Sequence, residues 1–252
     1  MPTTNRALTR HPFPETRWSL VFSAAREPSV ASAAAIESIC RAYWFPLYAF
    51  ARRSGRSPHD AQDLTQEFFL RLLEKRWLDS ADRDKGRLRT FLIAAMKRLM
   101  AKERRYVSAQ KRGGEHTFVD FDAQSAEGRY AEDPSSSLSA SDVFDRQWAV
   151  TLLDLTMERL KGEFASAGKL RDFEVIKPCL MVARGGIDYA AISRELGASE
   201  GTARVAIHRL RKRFRRLYRQ EITQTLSQES DLDEEMRHLS RVLCATSSQD
   251  LV

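Results

Sequence analysis

The stretch YAAISRELGASEGTARVAIHRLRKR, residues 189–213, carries the most decisive pattern in the chain. Ala190, Ile192 and Leu196 recur at helical spacing and give one apolar stripe. Gly197 follows the last of them, where a helix C-cap favours a residue that accepts positive φ. Ser199 then stands where an N-cap would, its hydroxyl able to accept a backbone N–H that the first helical turn leaves orphaned. Ala203, Ile207 and Leu210 repeat at i, i+4, i+7, so a second helix can pack back on the first. Thr202, Arg204, His208, Arg209, Arg211 and Lys212 take the other faces, and from 204 to 219 there are eight Lys/Arg and no Asp/Glu. Two short helices, a tight turn and a basic outer side read as a helix-turn-helix. In that motif the second helix enters the major groove, with its first turns at base edges and its later arginines at phosphates. The plainer alternative is a core helix with a solvated basic face, but turn, cap and charge together favour the groove-reading helix.

The chain around it has 252 residues, enough for one large domain or two small ones. An apolar fraction of 42% supports folded cores, while a net charge of +7 and a pI near 9.5 favour a polyanionic partner. Cys40, Cys179 and Cys244 are odd in number and far apart, with no CxxC, so neither a zinc site nor a disulfide framework is expected. This usage suits a reducing cytoplasm. The opening MPTTNRALTRHPFPETRW has no apolar core for a secretory signal, and no apolar run is long enough to span a bilayer. Charge is segregated. Residues 86–112 carry nine Lys/Arg against one acid, Glu103; residues 115–145 carry eight Asp/Glu against Arg129; residues 225–252 carry six acids against two bases.

Helical periodicity predicts an all-α fold with no strand-like alternation. A helix is expected over 30–53, kinked or restarted at Pro46. Ser57 and Pro58 form an N-cap and N1 pair opening a helix over 58–77, with Leu64, Phe68, Phe69, Leu72 and Leu73 on its apolar face and Asp60, Asp63 and Glu67 outside it. After a polar loop at 78–86, a third helix over 87–106 turns Leu88, Phe91, Leu92, Ala95, Met96 and Leu99 inward, and Arg98, Lys102 and Arg105 line another face. Three such helices make a compact bundle. Residues 109–141, with Gly113-Gly114, Pro134 and Ser135–Ser137, read as a flexible acidic linker. Helices return at 142–166 and 169–183 before the helix-turn-helix, and 229–243 reads as a short amphipathic tail helix. The expected layout is therefore a first domain over 14–108, a linker over 109–141, a second domain over 142–224 and an acidic tail over 225–252. A second basic module in the first domain suggests two-part binding, which raises effective concentration at a bipartite site. Trp77 and Phe91 could stack on unpaired bases or wall a pocket, although Phe91 lies on the apolar stripe and reads more readily as core.

HDAQDLTQEFFLRLLEKRW at 59–77 and GRLRTFLIAAMKRLMAKERR at 86–105 resemble region two of bacterial RNA polymerase sigma factors, and ASEGTARVAIHRLRKRFRRL at 198–217 resembles region four. The two stand in the right order from about Thr16 to Thr223, and with FEVIKPCL at 173–180 the text is similar to a planctomycete-style subgroup of the extracytoplasmic-function type. The resemblance implies a promoter-specificity subunit of core RNA polymerase. The acidic helix, through Asp60, Gln62, Asp63, Gln66 and Glu67, would dock on the clamp helices of the largest subunit, and region four would meet the flap. Gln62 departs from the acid usual there. The loop at 78–91 and the third helix would read and melt the minus-ten element, with Arg87, Arg89, Phe91, Lys97, Arg98, Lys102 and Arg105 at DNA. The recognition helix would read the minus-thirty-five element through Thr202, Arg204, Val205, His208 and Arg209, supported by Arg211 and Lys212. Val205 and Ala206 are less polar than in many relatives and suit thymine methyls or DNA shape. An anti-sigma factor or a Ser/Thr kinase is a candidate regulator, the latter through Thr65, where a phosphate would alter docking.

An enzyme reading fails on inventory, since HExxH, GxSxG, Walker loops and clustered ligands are absent; no catalytic residue, metal or cofactor is expected. The alternative function is a stand-alone helix-turn-helix regulator, which leaves the acidic helix and the second basic module unexplained and would ordinarily dimerise. No heptad seam is evident, and a monomer is expected. The tail reads as a solvated terminal helix, or else as an acidic segment (Asp231, Asp233, Glu234, Glu235) that folds onto a basic DNA-binding face.

Overall fold

The computed structural model describes residues 30–73, 87–107, 123–131, 138–226 and 231–244, and its described residues form nine α-helices and no strand. The helices are α1 (Val30–Arg53), α2 (Pro58–Leu73), α3 (Leu88–Val107), α4 (Ala123–Ala131), α5 (Ala140–Ser166), α6 (Leu170–Ile176), α7 (Tyr189–Leu196), α8 (Glu200–Thr223) and α9 (Leu232–Cys244). The all-α expectation is met. Trp77 and the loop at 78–86 lie outside the described residues.

Local chemistry sets most boundaries. Ser57 caps α2, its hydroxyl accepting from the Asp60 N–H at 3.1 Å, and Pro58 takes the first helical position. Ser139 caps α5 in the same way through the Asp142 N–H at 3.2 Å. Pro46 does not divide α1, which runs unbroken across it: residues 42–51 are all buried, and packing outweighs the lost hydrogen bond. The single helix expected over 169–183 ends at Ile176 and tightens into 3₁₀ turns at Lys177–Leu180 and Arg184–Gly186, because Pro178 has no N–H to continue the α pattern.

Two apolar cores result. The larger gathers Tyr43, Leu47 and Tyr48 of α1, Leu64 and Phe68 of α2, Leu92 and Met96 of α3, and Phe144, Trp148 and Leu152 of α5. Tyr43 stacks on Trp148 at 5.7 Å and on Phe144 at 6.3 Å. The same core takes in Tyr218 and Ile222 from the end of α8 and Leu232 and Leu239 of α9. The smaller core joins Leu160 of α5, Phe173, Ile176, Cys179, and Ile207, Leu210 and Leu217 of α8. Helices α5 and α8 thus belong to both cores.

Within the stretch read as a linker, α4 is ordered and tied to α1. Arg52 donates two hydrogen bonds to the Glu127 carboxylate, at 2.7 and 2.9 Å, and the Tyr48 hydroxyl donates a third at 2.5 Å. The Arg52 bonds, then the Tyr48 bond, hold the Glu127 carboxyl below the usual carboxylate range despite partial burial. Arg129 lies over the Phe45 ring at 4.2 Å.

Candidate nucleic-acid interface

The helix-turn-helix forms as its caps dictate. Asp188 caps α7, accepting from the Ala191 N–H at 2.9 Å. The sequence reading missed this cap, although an Asp directly before an apolar-periodic run is its ordinary signal. Gly197 closes α7 at φ 62°, and the Ala198 N–H returns to the Ser193 carbonyl at 3.0 Å. Ser199 caps α8, accepting from the Thr202 N–H at 3.2 Å. Ala203, Ile207 and Leu210 are buried, which leaves Thr202, Arg204, Val205, His208, Arg209 and Lys212 exposed on one outer face. Val205 is 48% exposed, unusual for a branched apolar side chain and suited to a methyl group in a groove.

Arg211 and Arg213 of α8 are engaged within the protein. Arg211 donates to the Cys179 carbonyl at 2.6 and 3.1 Å and to the Val182 carbonyl, pinning the 3₁₀ turn to the recognition helix. Arg213 pairs bidentately with Glu163 of α5, which holds the Glu163 carboxyl below its usual range. Arg204 lies over Tyr189 at 4.1 Å and 3.6 Å from Glu200, so its guanidinium is steadied at the surface. Arg211 therefore fixes the frame, whereas Arg204, Arg209 and Lys212 sit on the outer side.

On α3 the residues separate into two groups. Lys97, Arg98 and Lys102 are exposed; Lys97 approaches the Phe50 ring at 5.8 Å and Ser141 at 3.4 Å. Phe91 is half-buried against the larger core, as its place on the apolar stripe suggested. The side chain of Arg105 lies outside the described residues. Arg87 and Arg89, in contrast, meet acids of α9 and α5. Arg89 is only 8% exposed; it donates to Glu235 at 2.6 and 3.4 Å and to Asp145 at 2.8 Å. Burial works against its charge, but the Glu235 bonds and the Asp145 charge outweigh that and raise its pKa. Arg87 pairs with Glu234 at 2.9 Å and Glu235 at 2.8 Å, and His238 lies 2.9 Å from Asp145. The sequence signal for this cluster was the acidic run 233–235 itself.

The acidic set of α2 is split by burial. Asp60 and Asp63 are exposed, with His59 beside Asp63 at 3.4 Å; Gln62, Gln66 and Glu67 are half-buried, and Glu67 pairs with Arg71. Behind them, burial pushes the Glu103 carboxyl up, against the opposing charges of Arg56 and Arg71. Thr65 is fully buried and donates to the Ala61 carbonyl at 2.7 Å. The phosphorylation expectation is corrected here: a hydroxyl on the core side of a packed helix is closed to a kinase. Among the described residues no helix is long and apolar enough to cross a membrane.

No curated protein and no solved structure matches the chain. Residues 41–110, from the middle of α1 through α3, match the family model for Sigma-70 region 2, and this match supports an RNA polymerase sigma factor acting in promoter-specific transcription initiation.

Proposed function

We propose that the chain is a sigma factor of the extracytoplasmic-function type, of the planctomycete-like subgroup, which binds core RNA polymerase and directs it to a two-element promoter. The observation that carries the reading is the pairing of the region 2 match over 41–110 with a capped helix-turn-helix further along the chain, its recognition helix basic and exposed. In this reading Asp60, Asp63 and Glu67, with Gln62 and Gln66, meet the clamp helices of the largest polymerase subunit, and the region-four side meets the flap. Lys97, Arg98, Lys102 and Arg105 face the phosphates around the minus-ten element, with Arg87, Arg89 and Phe91 nearer the opening bases. Thr202, Arg204, Val205, His208 and Arg209 read the minus-thirty-five element, and Lys212 holds phosphate. Binding energy at the opened bases offsets unstacking, while the polymerase supplies the chemistry. An anti-sigma factor would regulate by covering one of these faces.

The test is run-off transcription with purified core polymerase, the protein and a library of genomic promoter fragments. Discrete start sites that need both components establish the reading and give the promoter motif. Tight duplex binding by the protein alone, with no initiation, would replace it with a free-standing regulator.

A further inference from the structure

Arg87 and Arg89 head the most basic helix of the first bundle, yet both are held by carboxylates. All three of those carboxylates are non-local: Glu234 and Glu235 open α9, and Asp145 lies on α5. Glu235 is completely buried, and its two oxygens reach both arginines, at 2.6 and 2.8 Å. The rest of α9 continues the attachment. Leu232 and Leu239 sit in the larger core, Met236 and Leu243 pack against it, His238 meets Asp145, and Arg219 of α8 meets Asp233 at 3.1 Å. The C-terminal helix is therefore seated where α3, α5 and α8 converge. Its first turn presents carboxylates to the same guanidinium groups that a nucleic-acid phosphate would seek.

We propose that α9 is an intramolecular latch that competes with promoter DNA for Arg87 and Arg89, so that productive DNA engagement requires α9 to leave its seat. The proposal rests on the sigma-factor reading above. A carboxylate and a phosphate are rival anions for the same N–H groups, and Glu235 and Asp145 between them already engage Nε, Nη1 and Nη2 of Arg89. The seat also bridges the first bundle and the C-terminal part of α8 through Leu232, Leu239 and the Arg219–Asp233 pair.

The test uses the full chain. Asp233 and Glu234 are surface positions, so Asp233→Lys with Glu234→Lys weakens the latch without burying a charge; the substitutions also oppose the helix dipole at the first turn of α9. Glu158→Lys with Glu174→Lys makes the same change of charge on exposed sites away from Arg87 and Arg89 and controls for general attraction to DNA. Promoter affinity of the holoenzyme and run-off yield are measured for both double variants and the unaltered protein, with amide exchange over 231–244 read before and after promoter complex formation. The latch predicts affinity about fivefold above the control for the α9 variant. It also predicts that α9 amides lose protection in the promoter complex of the unaltered protein. Equal affinity of the two double variants, or α9 protection retained in the promoter complex, overturns the latch while leaving the function reading intact. Absence of run-off product from every protein overturns the function reading and the latch with it.

Discussion

Single residues carry specific loads in this molecule. Gly197 adopts φ 62° with open space around its absent Cβ, so the cost of a side chain there is conformational alone. Gly197→Ala is expected to lower stability by about 1 kcal/mol in chemical denaturation, with the α7–α8 turn otherwise preserved. Glu235 is a different case, because it is itself fully buried and compensates two arginines. Glu235→Gln is expected to cost about 3 kcal/mol in the same measurement, since it leaves two arginines short of a buried countercharge, with Asp145 alone still charged beside Arg89. Legibility at this scale followed chemistry that is local in sequence. Gly197 and Ser199 announced their roles through position relative to the apolar stripe. Glu235 did not, because its partners stand some 150 residues away, and its neighbours Asp233 and Glu234 look the same on paper although both are exposed.

At the scale of elements, charged side chains fix how helices attach. Glu127 ties α4 to α1 and Glu163 ties α5 to α8, each through a bidentate arginine. Both carboxyls are depressed below their ordinary range, so their contribution is present above the unfolded value and is lost as pH falls through the folded one. Amide protection over 123–131, taken relative to the intrinsic exchange rate at each pH, should therefore fall below the usual carboxylate range, and Arg52→Ala should produce the same loss at neutral pH. A protection factor for α4 that does not change with pH would show that Glu127 does not hold it. Periodicity revealed α1, α2, α3, α5 and α8 because their apolar faces are long. It missed α4, a nine-residue helix whose anchors are Glu127, Arg129 and Tyr130 rather than a stripe. It also merged α6 with the 3₁₀ turns after it, where Pro178 imposes a stop that a hydrophobic pattern does not register.

For the whole molecule, the sharing of α5 and α8 between two cores predicts one cooperative unfolding transition. Trp148→Ala, which removes the centre of the larger core, should lower stability by about 3–5 kcal/mol and shift that single calorimetric transition as a unit. Two separated transitions would indicate halves that fold independently. The order of the long helices was readable from the chain, and so was the all-α class. How the halves meet was not, because the apolar residues that join them, such as Tyr218, Ile222 and Leu239, sit on helices already accounted for by nearer partners. The indole of Trp148 lies under the Arg89 guanidinium, 5.9 Å from its carbon. The cation and its acidic escort are thus the immediate electrical surroundings of a natural fluorophore. A change of occupancy at Arg89 therefore alters the field at Trp148, and the expected sign of it is a shift in that residue's share of the ultraviolet emission from the chain's four tryptophans.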